Sequence, residues 1–315
     1  MNSISTLNLD SDFSYQTIDL PDDYEGKVTA TLIAANANTG NRKSVLYVHG
    51  FIDYFFQAHM AAKFLNEGYD FYALELRKYG HSLLPHQHPN YCRSITEYFP
   101  EISISLKQIN ERSKHKITLI GHSTGGLTTS LYMNEGEERH LVNALILNSP
   151  FLEFNISKLK RLFLPVISKF SILFNKFAKL DEALSRVYSQ SIHKGDFGEW
   201  EFSQEWKPVD GFPAFYAWTN AVLKAQNRLK KESNIQVPVL VMHSSKSLIT
   251  KIYSEEAHSA DTVLNVEHIK KFGSTLGDDV TMVSIKNGMH DLVLSRKEVR
   301  ELVFQKMFSW LKNID

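Results

Sequence analysis

A serine set among small residues, Gly121-His122-Ser123-Thr124-Gly125-Gly126, is the segment of this chain best suited to chemistry. It follows the apolar run Lys116-Ile117-Thr118-Leu119-Ile120 and precedes a helix-forming stretch that begins at Leu127. Glycines on both sides let the backbone turn sharply enough to lift Ser123 above a sheet edge, which a G-x-S-x-G nucleophile elbow requires. A serine hydroxyl is a weak nucleophile until a base takes its proton, and the oxyanion that its attack creates needs preorganised donors. In such an elbow the donors are the N–H of the next residue, here Thr124, and an N–H from the loop after an earlier strand. That loop is His49-Gly50-Phe51, with the Phe51 N–H as the second donor. His49 is expected to pin the loop by hydrogen bonds, and His122 to pack beside the elbow at the margin of the substrate site.

The elements that must hold these groups follow from periodicity. Residues 13–20 and 27–36 alternate apolar and polar positions around the turn-forming Pro21-Asp22-Asp23-Tyr24-Glu25-Gly26, which reads as a hairpin. Short, nearly continuous apolar runs then recur at 44–50, 70–76, 116–123, 143–150, 237–244 and 280–287, as strands buried on both faces do. Helical patterns such as 55–68 and 95–112 lie between them, and this alternation implies right-handed crossovers and a mostly parallel sheet of about eight strands with helices on both faces. The rhythm breaks over 151–234, which carries helical spacing and clustered Phe and Trp. The spacing predicts a core of 1–150 and 235–315 with a helical cap, 151–234, inserted after the sixth strand and lying over the carboxyl ends of the strands, where open α/β sheets bind ligands.

Composition narrows the possible roles. Lys plus Arg and Asp plus Glu both number 35, so the formal charge is zero and nothing favours a nucleic-acid partner. The single cysteine, Cys92, can form neither an internal disulfide nor a thiolate metal cluster. His86-Gln87-His88 has ligand spacing but no further ligand nearby, so no metal and no cofactor is expected. The first twenty residues lack a basic start and an apolar run, and no stretch approaches the roughly 20 apolar residues of a bilayer span, so the chain reads as cytoplasmic.

His49-Gly50-Phe51-Ile52-Asp53-Tyr54, the stretch from Glu75 to Ser82, Gly121–Gly126, an interposed capped region and a late Gly288-Met289-His290 together resemble the α/β-hydrolase fold. The similarity is to its monoacylglycerol lipase and serine-aminopeptidase-like branch and covers about 25–313. Glu75-Leu76-Arg77-Lys78-Tyr79-Gly80-His81-Ser82 is similar to that branch's D-x-R-G-x-G-x-S loop, with Glu75 for Asp and Lys78 for Gly. In this fold the catalytic order is Ser, then Asp or Glu, then His. The resemblance therefore implies His290, after the last strand, as the base among thirteen histidines. It also implies an acid shortly after the strand ending at Ser244, where this chain reads Ser245-Lys246-Ser247-Leu248 and offers no Asp before Asp261. A short insertion ahead of the acid accounts for the displacement and makes Asp261 the expected acid, with Glu153, Glu255 and Glu256 as rivals.

Residues 154–180 of the cap contain six Lys or Arg and no acid, and Phe163, Ile167, Phe170, Phe174 and Phe177 recur at helical spacing. Such a helix is either a lid over an acyl-chain site, lined by Phe163 and Phe170, or a surface helix making weak peripheral contact with anionic membranes, or a packed cap helix with a solvated basic face. Trp218, with Trp200, Trp206 and Tyr216, is a further candidate to line the substrate pocket. The expected activity is hydrolysis of a small-molecule carboxylic ester through an acyl-enzyme on Ser123, of the carboxylesterase, monoacylglycerol lipase or lysophospholipase kind. The alternatives are an aminopeptidase of the proline-releasing kind, using Glu199, Glu201 or Glu205 to hold the substrate amine, and a noncatalytic ligand receptor on the same fold.

Overall fold

A computed structural model describes residues 7–35, 43–113, 115–180 and 185–314. Eight strands form one sheet: β1 (Phe13–Asp23), β2 (Gly26–Ala35), β3 (Lys43–Val48), β4 (Tyr69–Glu75), β5 (Ile117–His122), β6 (Val142–Asn148), β7 (Val239–Ser244) and β8 (Val280–Ile285). Their order is β1-β2-β4-β3-β5-β6-β7-β8; β1, β2 and β4 pair antiparallel and every other neighbouring pair is parallel. The expected hairpin is tighter than the sequence suggests, because β1 runs on through Pro21 to Asp23. Pro21, which has no N–H to give a ladder, falls where the register shifts between Leu20 and Asp23. Gly26 closes the turn at φ 93°, a conformation that glycine takes without penalty.

Both faces of the sheet are covered, and side chains alternate between two cores as strand geometry demands. Leu46 and Val48 of β3 join one core with α2 (Phe99–Arg112) and α3 (Thr124–Glu135), while Val45 and Tyr47 join the other with α1 (Ala58–Asn66) and α8 (Lys297–Ile314). Each fully buried Leu, Ile or Phe contributes about 1.5–3 kcal/mol. The chain passes from β3 out to β4 and then back across β3 to β5, so the loops after β3 and β5 leave side by side at the carboxyl edge. This is what brings the 49–57 loop to the elbow.

Between β6 and β7 lie α4 (Lys158–Phe174), α5 (Val187–Ile192) and α6 (Tyr216–Glu232); α7 (Val266–Gly273) precedes β8. The inner face of α6, including Trp218, Val222 and Leu229, belongs to the same core as α3. On α4 the expected apolar stripe is not the stripe that packs. Arg161, Leu164, Pro165, Ser168 and Ile172 face the protein, with Ser168 fully buried, whereas Phe163 is 52%, Phe170 61% and Phe174 86% exposed. Phe163 and Phe170, the expected acyl-site contacts on this helix, thus lie on its outward face. Two stripes at helical spacing compete on this helix, and small residues such as Ser168 allow the closer approach to α6. Phe177 lies beyond the end of α4 and stacks on His88 with ring centroids 3.9 Å apart.

Candidate active site

Ser123 sits between β5 and α3 at φ 52° and ψ −116°, a conformation that a non-glycine residue holds only when its surroundings over-determine it. Three backbone hydrogen bonds do so. The Ser123 N–H donates to the Asn148 carbonyl at 3.0 Å, and the Ser123 carbonyl accepts from Phe151 at 2.9 Å and Leu127 at 3.2 Å. Glycines are required around it: a Cβ at Gly121 would stand 2.2 Å from Thr129 Oγ1, and one at Gly125 2.3 Å from the His49 carbonyl. The helix and the 49–57 loop thus approach closely enough to face the same point.

His290 follows β8 and precedes α8, and its Nε2 lies 3.0 Å from Ser123 Oγ. Its Nδ1 lies 3.0 Å from Asp261 Oδ2. A carboxylate only accepts, so the Nδ1–H donates to Asp261 and Nε2 is left to accept the serine hydroxyl. Asp261 is fully buried, and its Oδ1 accepts the N–H groups of Val263 at 2.9 Å and Leu264 at 2.8 Å, which fixes the carboxylate plane. Its displacement along the sequence has a simple geometry. The Asp261 N–H donates to the Lys246 carbonyl and the Leu248 N–H donates to the Asp261 carbonyl, so 248–260 is an excursion that closes on itself and returns Asp261 to the place beside Ser247.

The rival acids lie elsewhere. Glu153 is buried between Arg161 at 2.8 Å and Lys230 at 2.5 Å, where it ties α4 and α6 to the core. Glu255 is exposed and pairs with Arg296 and the Tyr253 hydroxyl; Glu256 is also exposed. Asp291 turns away from the neighbouring histidine, accepting from Asn148 Nδ2 at 2.6 Å and Gln57 Nε2 at 3.4 Å.

The two expected N–H donors lie on the 49–57 loop and at the start of α3, two elements that approach closely at Gly125 and His49. Thr124 is the first residue of α3, so its N–H has no partner within the helix. In the 49–57 loop, Gly50 N–H reaches Asp53 Oδ2 at 3.5 Å and Ile52 N–H donates to Asn90 Oδ1 at 2.9 Å, leaving the Phe51 N–H between them. His49 accepts the Leu76 N–H at Nε2 and donates from Nδ1 to the Gly50 carbonyl at 2.8 Å, which orients the peptide that carries the Phe51 N–H. Burial lowers its pKa, as it does for His122, so both rings are neutral. His122 donates from Nδ1 to the Asn148 carbonyl at 3.1 Å, and its ring lies 4.9 Å from that of His290. Trp218 stacks on Phe51 with centroids 3.9 Å apart.

Several neighbours of the site carried no sequence signal. Tyr188 of α5 meets the His290 ring edge-on at 5.3 Å, Asn148 joins the elbow to Asp291, and Lys207 reaches the 49–57 loop. Among the described residues, no group of three or more His, Cys, Asp or Glu side chains is placed to hold a metal ion. His86 and His88 bond the Lys27 carbonyl and Glu25, and the buried Cys92 thiol has its pKa pushed up to about 12 by desolvation.

A serine on a strained strand-to-helix turn, a histidine and a buried aspartate in one hydrogen-bonded line, and this strand order together define an α/β-hydrolase. Residues 39–297 match the family described as Serine aminopeptidase, S33, and the chain belongs to that family. Its fold is similar to a soluble variant of monoglyceride lipase from Saccharomyces cerevisiae solved with a substrate analog (16% identity, 96% of this chain and 97% of that one, TM-score 0.68). It is also similar to the Paleococcus ferrophilus monoacylglycerol lipase (17%, 96% and 100%, TM-score 0.64) and to an esterase from Thermogutta terrifontis (16%, 95% and 99%, TM-score 0.58). No curated protein matches the sequence. No helix among the described residues is long and apolar enough to cross a membrane.

Proposed function

We propose that this protein is a serine hydrolase that cleaves carboxylic esters through an acyl-enzyme on Ser123. The observation that carries the reading is the line Asp261–His290–Ser123, with both contacts at 3.0 Å, ending at the strained elbow. Ser123 Oγ attacks the ester carbonyl as His290 Nε2 takes its proton, and Asp261 holds the ring in the required tautomer and stabilises the imidazolium. The Phe51 and Thr124 N–H groups receive the oxyanion, which is worth roughly 3–4 kcal/mol per donor in comparable sites. His290 then protonates the departing alcohol, and water, activated by the same ring, releases the acid.

Esters are favoured over N-terminal peptides by the state of the acidic residues. Glu199 pairs with Arg300, Glu201 pairs with Lys194, and Glu205 is exposed, so the acids considered for holding a substrate amine are engaged or solvated. The family description keeps the aminopeptidase reading in play, and the monoglyceride lipase neighbours support a lipid ester. A panel of p-nitrophenyl and glyceryl esters of graded chain length, run beside aminoacyl anilides, separates the two. Esters are expected to turn over at least about a hundredfold faster, a gap of roughly 2.7 kcal/mol; the reverse order would establish the aminopeptidase.

The 151–234 segment is proposed as a cap, seated on the core through α6. Its α4 presents an apolar face that includes Leu159, Phe163, Ile167, Phe170 and Phe174, beside exposed Lys160, Lys169 and Lys176, in a stretch free of acids. Exposed apolar surface rimmed by one sign of charge fits the surface of an anionic bilayer. The protein is expected to float with vesicles containing phosphatidylserine and not with phosphatidylcholine alone. The triple variant Phe163→Ser, Phe170→Ser, Phe174→Ser should lose flotation while keeping activity on a soluble ester; flotation of that variant would exclude α4 as the contact.

A further inference from the structure

Among the buried ion pairs that the proposed mechanism leaves unused, one borders the site. Lys207 and Asp53 are 4% and 3% exposed, and they join the 151–234 segment to the loop that carries the Phe51 N–H. Lys207 Nζ donates to Asp53 Oδ1 at 2.7 Å and to the Ile52 carbonyl at 3.3 Å. We infer that Lys207 is a positioning residue whose charge keeps the oxyanion site competent only while the segment around 203–207 is seated on the 49–57 loop.

Two arguments support this, the first of them geometric. Ile52 lies at φ 51°, a conformation that a β-branched residue rarely adopts, and such strain persists only where contacts impose it. Asn90 holds the N–H of Ile52 and Lys207 holds its carbonyl, so one of these two restraints on the Ile52 backbone comes from the 151–234 segment. Nearby, the Ser203 N–H donates to the Tyr54 hydroxyl at 2.6 Å, which docks the same stretch on the same loop. The ammonium also lies 5.7–5.8 Å from the ring centroids of Phe56, Tyr188 and Phe202, and Tyr188 is the ring packed against His290.

The second argument is electrostatic. Asp53 Oδ2 lies 3.5 Å from the Gly50 nitrogen, one residue before the Phe51 N–H. A lone carboxylate there would oppose the negative charge that develops on the substrate oxygen, and in a water-poor site that opposition is strong. Burial is the largest influence on Asp53 and raises its pKa, but the Lys207 ammonium, the strongest opposing group, together with His122 and His49 more than offsets it and holds the carboxyl below the usual carboxylate range. Asp53 is therefore charged, and Lys207 is what cancels it. The penalty for losing Lys207 falls on the transition state, which bears the oxyanion, and not on the neutral ester, so it belongs in kcat and not in KM.

The inference rests on the Phe51 N–H being an oxyanion donor, and the experiment separates the two. Wild-type turnover that Ser123→Ala abolishes tests the hydrolase reading by itself. With that in hand, kcat, KM and melting temperature are measured for Lys207→Met, Asp53→Asn and the double variant on the best ester. Lys207→Met should lower kcat about tenfold or more with KM within about threefold, because only transition-state charge is affected. Asp53→Asn should cost clearly less, and the double variant, which holds no unpaired buried charge and so avoids the folding penalty of Lys207→Met, should regain most of the lost kcat. A merely structural bridge would give equal losses from either side and no recovery. Equal losses, a double variant no better than Lys207→Met, or a loss carried by KM would each overturn the inference.

Discussion

Ser123→Ala is expected to lower kcat on the best ester by roughly 10⁶-fold while KM and the melting temperature stay near those of the wild type. The change removes one oxygen, 8% of whose residue is exposed, and keeps the three backbone hydrogen bonds that define the elbow. An alanine tolerates the positive φ no worse than a serine does, so the fold has no reason to relax. Both N–H donors and the stacked Phe51 and Trp218 rings are also retained, so the substrate still binds and only the covalent step is lost. Because nucleophile and base act as one unit, His290→Ala should cost about as much, and the double variant little more than either. A fluorophosphonate probe provides an independent readout: one adduct on the wild type and none on Ser123→Ala. Ester turnover above about one percent of wild type in Ser123→Ala, a loss of under 3 kcal/mol in barrier terms, would remove the acyl-enzyme from the account.

The features that the sequence made visible are those written locally. Buried parallel strands are short apolar runs, so β3 to β8 could be read from residue types alone, and the elbow needs its glycines within a few residues of Ser123. The site was harder wherever a long-range contact decides. Asp261 is far from the end of β7 in sequence and adjacent to it in space, because the 248–260 excursion returns to Ser247. On α4, periodicity revealed an apolar stripe but could not say that the stripe through Arg161, Leu164 and Ser168 is the one that packs, since that depends on the shape of α6. Lys207 gave no signal at all, and Asp53 stood out only as part of the 49–54 stretch: a lysine in an irregular segment looks solvated until the partner across the fold is known.

The second large effect separates the two carboxylates that the sequence could not rank by residue type. Asp261→Asn is expected to reduce kcat by about 10⁴-fold with little change in KM. The reason is the tautomer. Oδ1 of Asp261 accepts two backbone N–H groups, from Val263 and Leu264, so an asparagine oxygen would take that position and its amide nitrogen would face His290 Nδ1. The ring would then carry its proton on Nε2, turned toward Ser123 with nothing left to accept the hydroxyl hydrogen. Glu153→Gln should do the opposite. It leaves Arg161 and Lys230 without their shared counter-charge, which costs about 2 kcal/mol or more of stability given that both cations are partly solvated. Its melting temperature should fall by several degrees while kcat at a permissive temperature stays within about twofold, since Glu153 meets the cations of α4 and α6 and not His290. Measured together, the pair allows one arrangement to survive: collapse of kcat in Glu153→Gln with Asp261→Asn unaffected would transfer the acid's role to Glu153 and leave the 3.0 Å contact at Asp261 without a catalytic part.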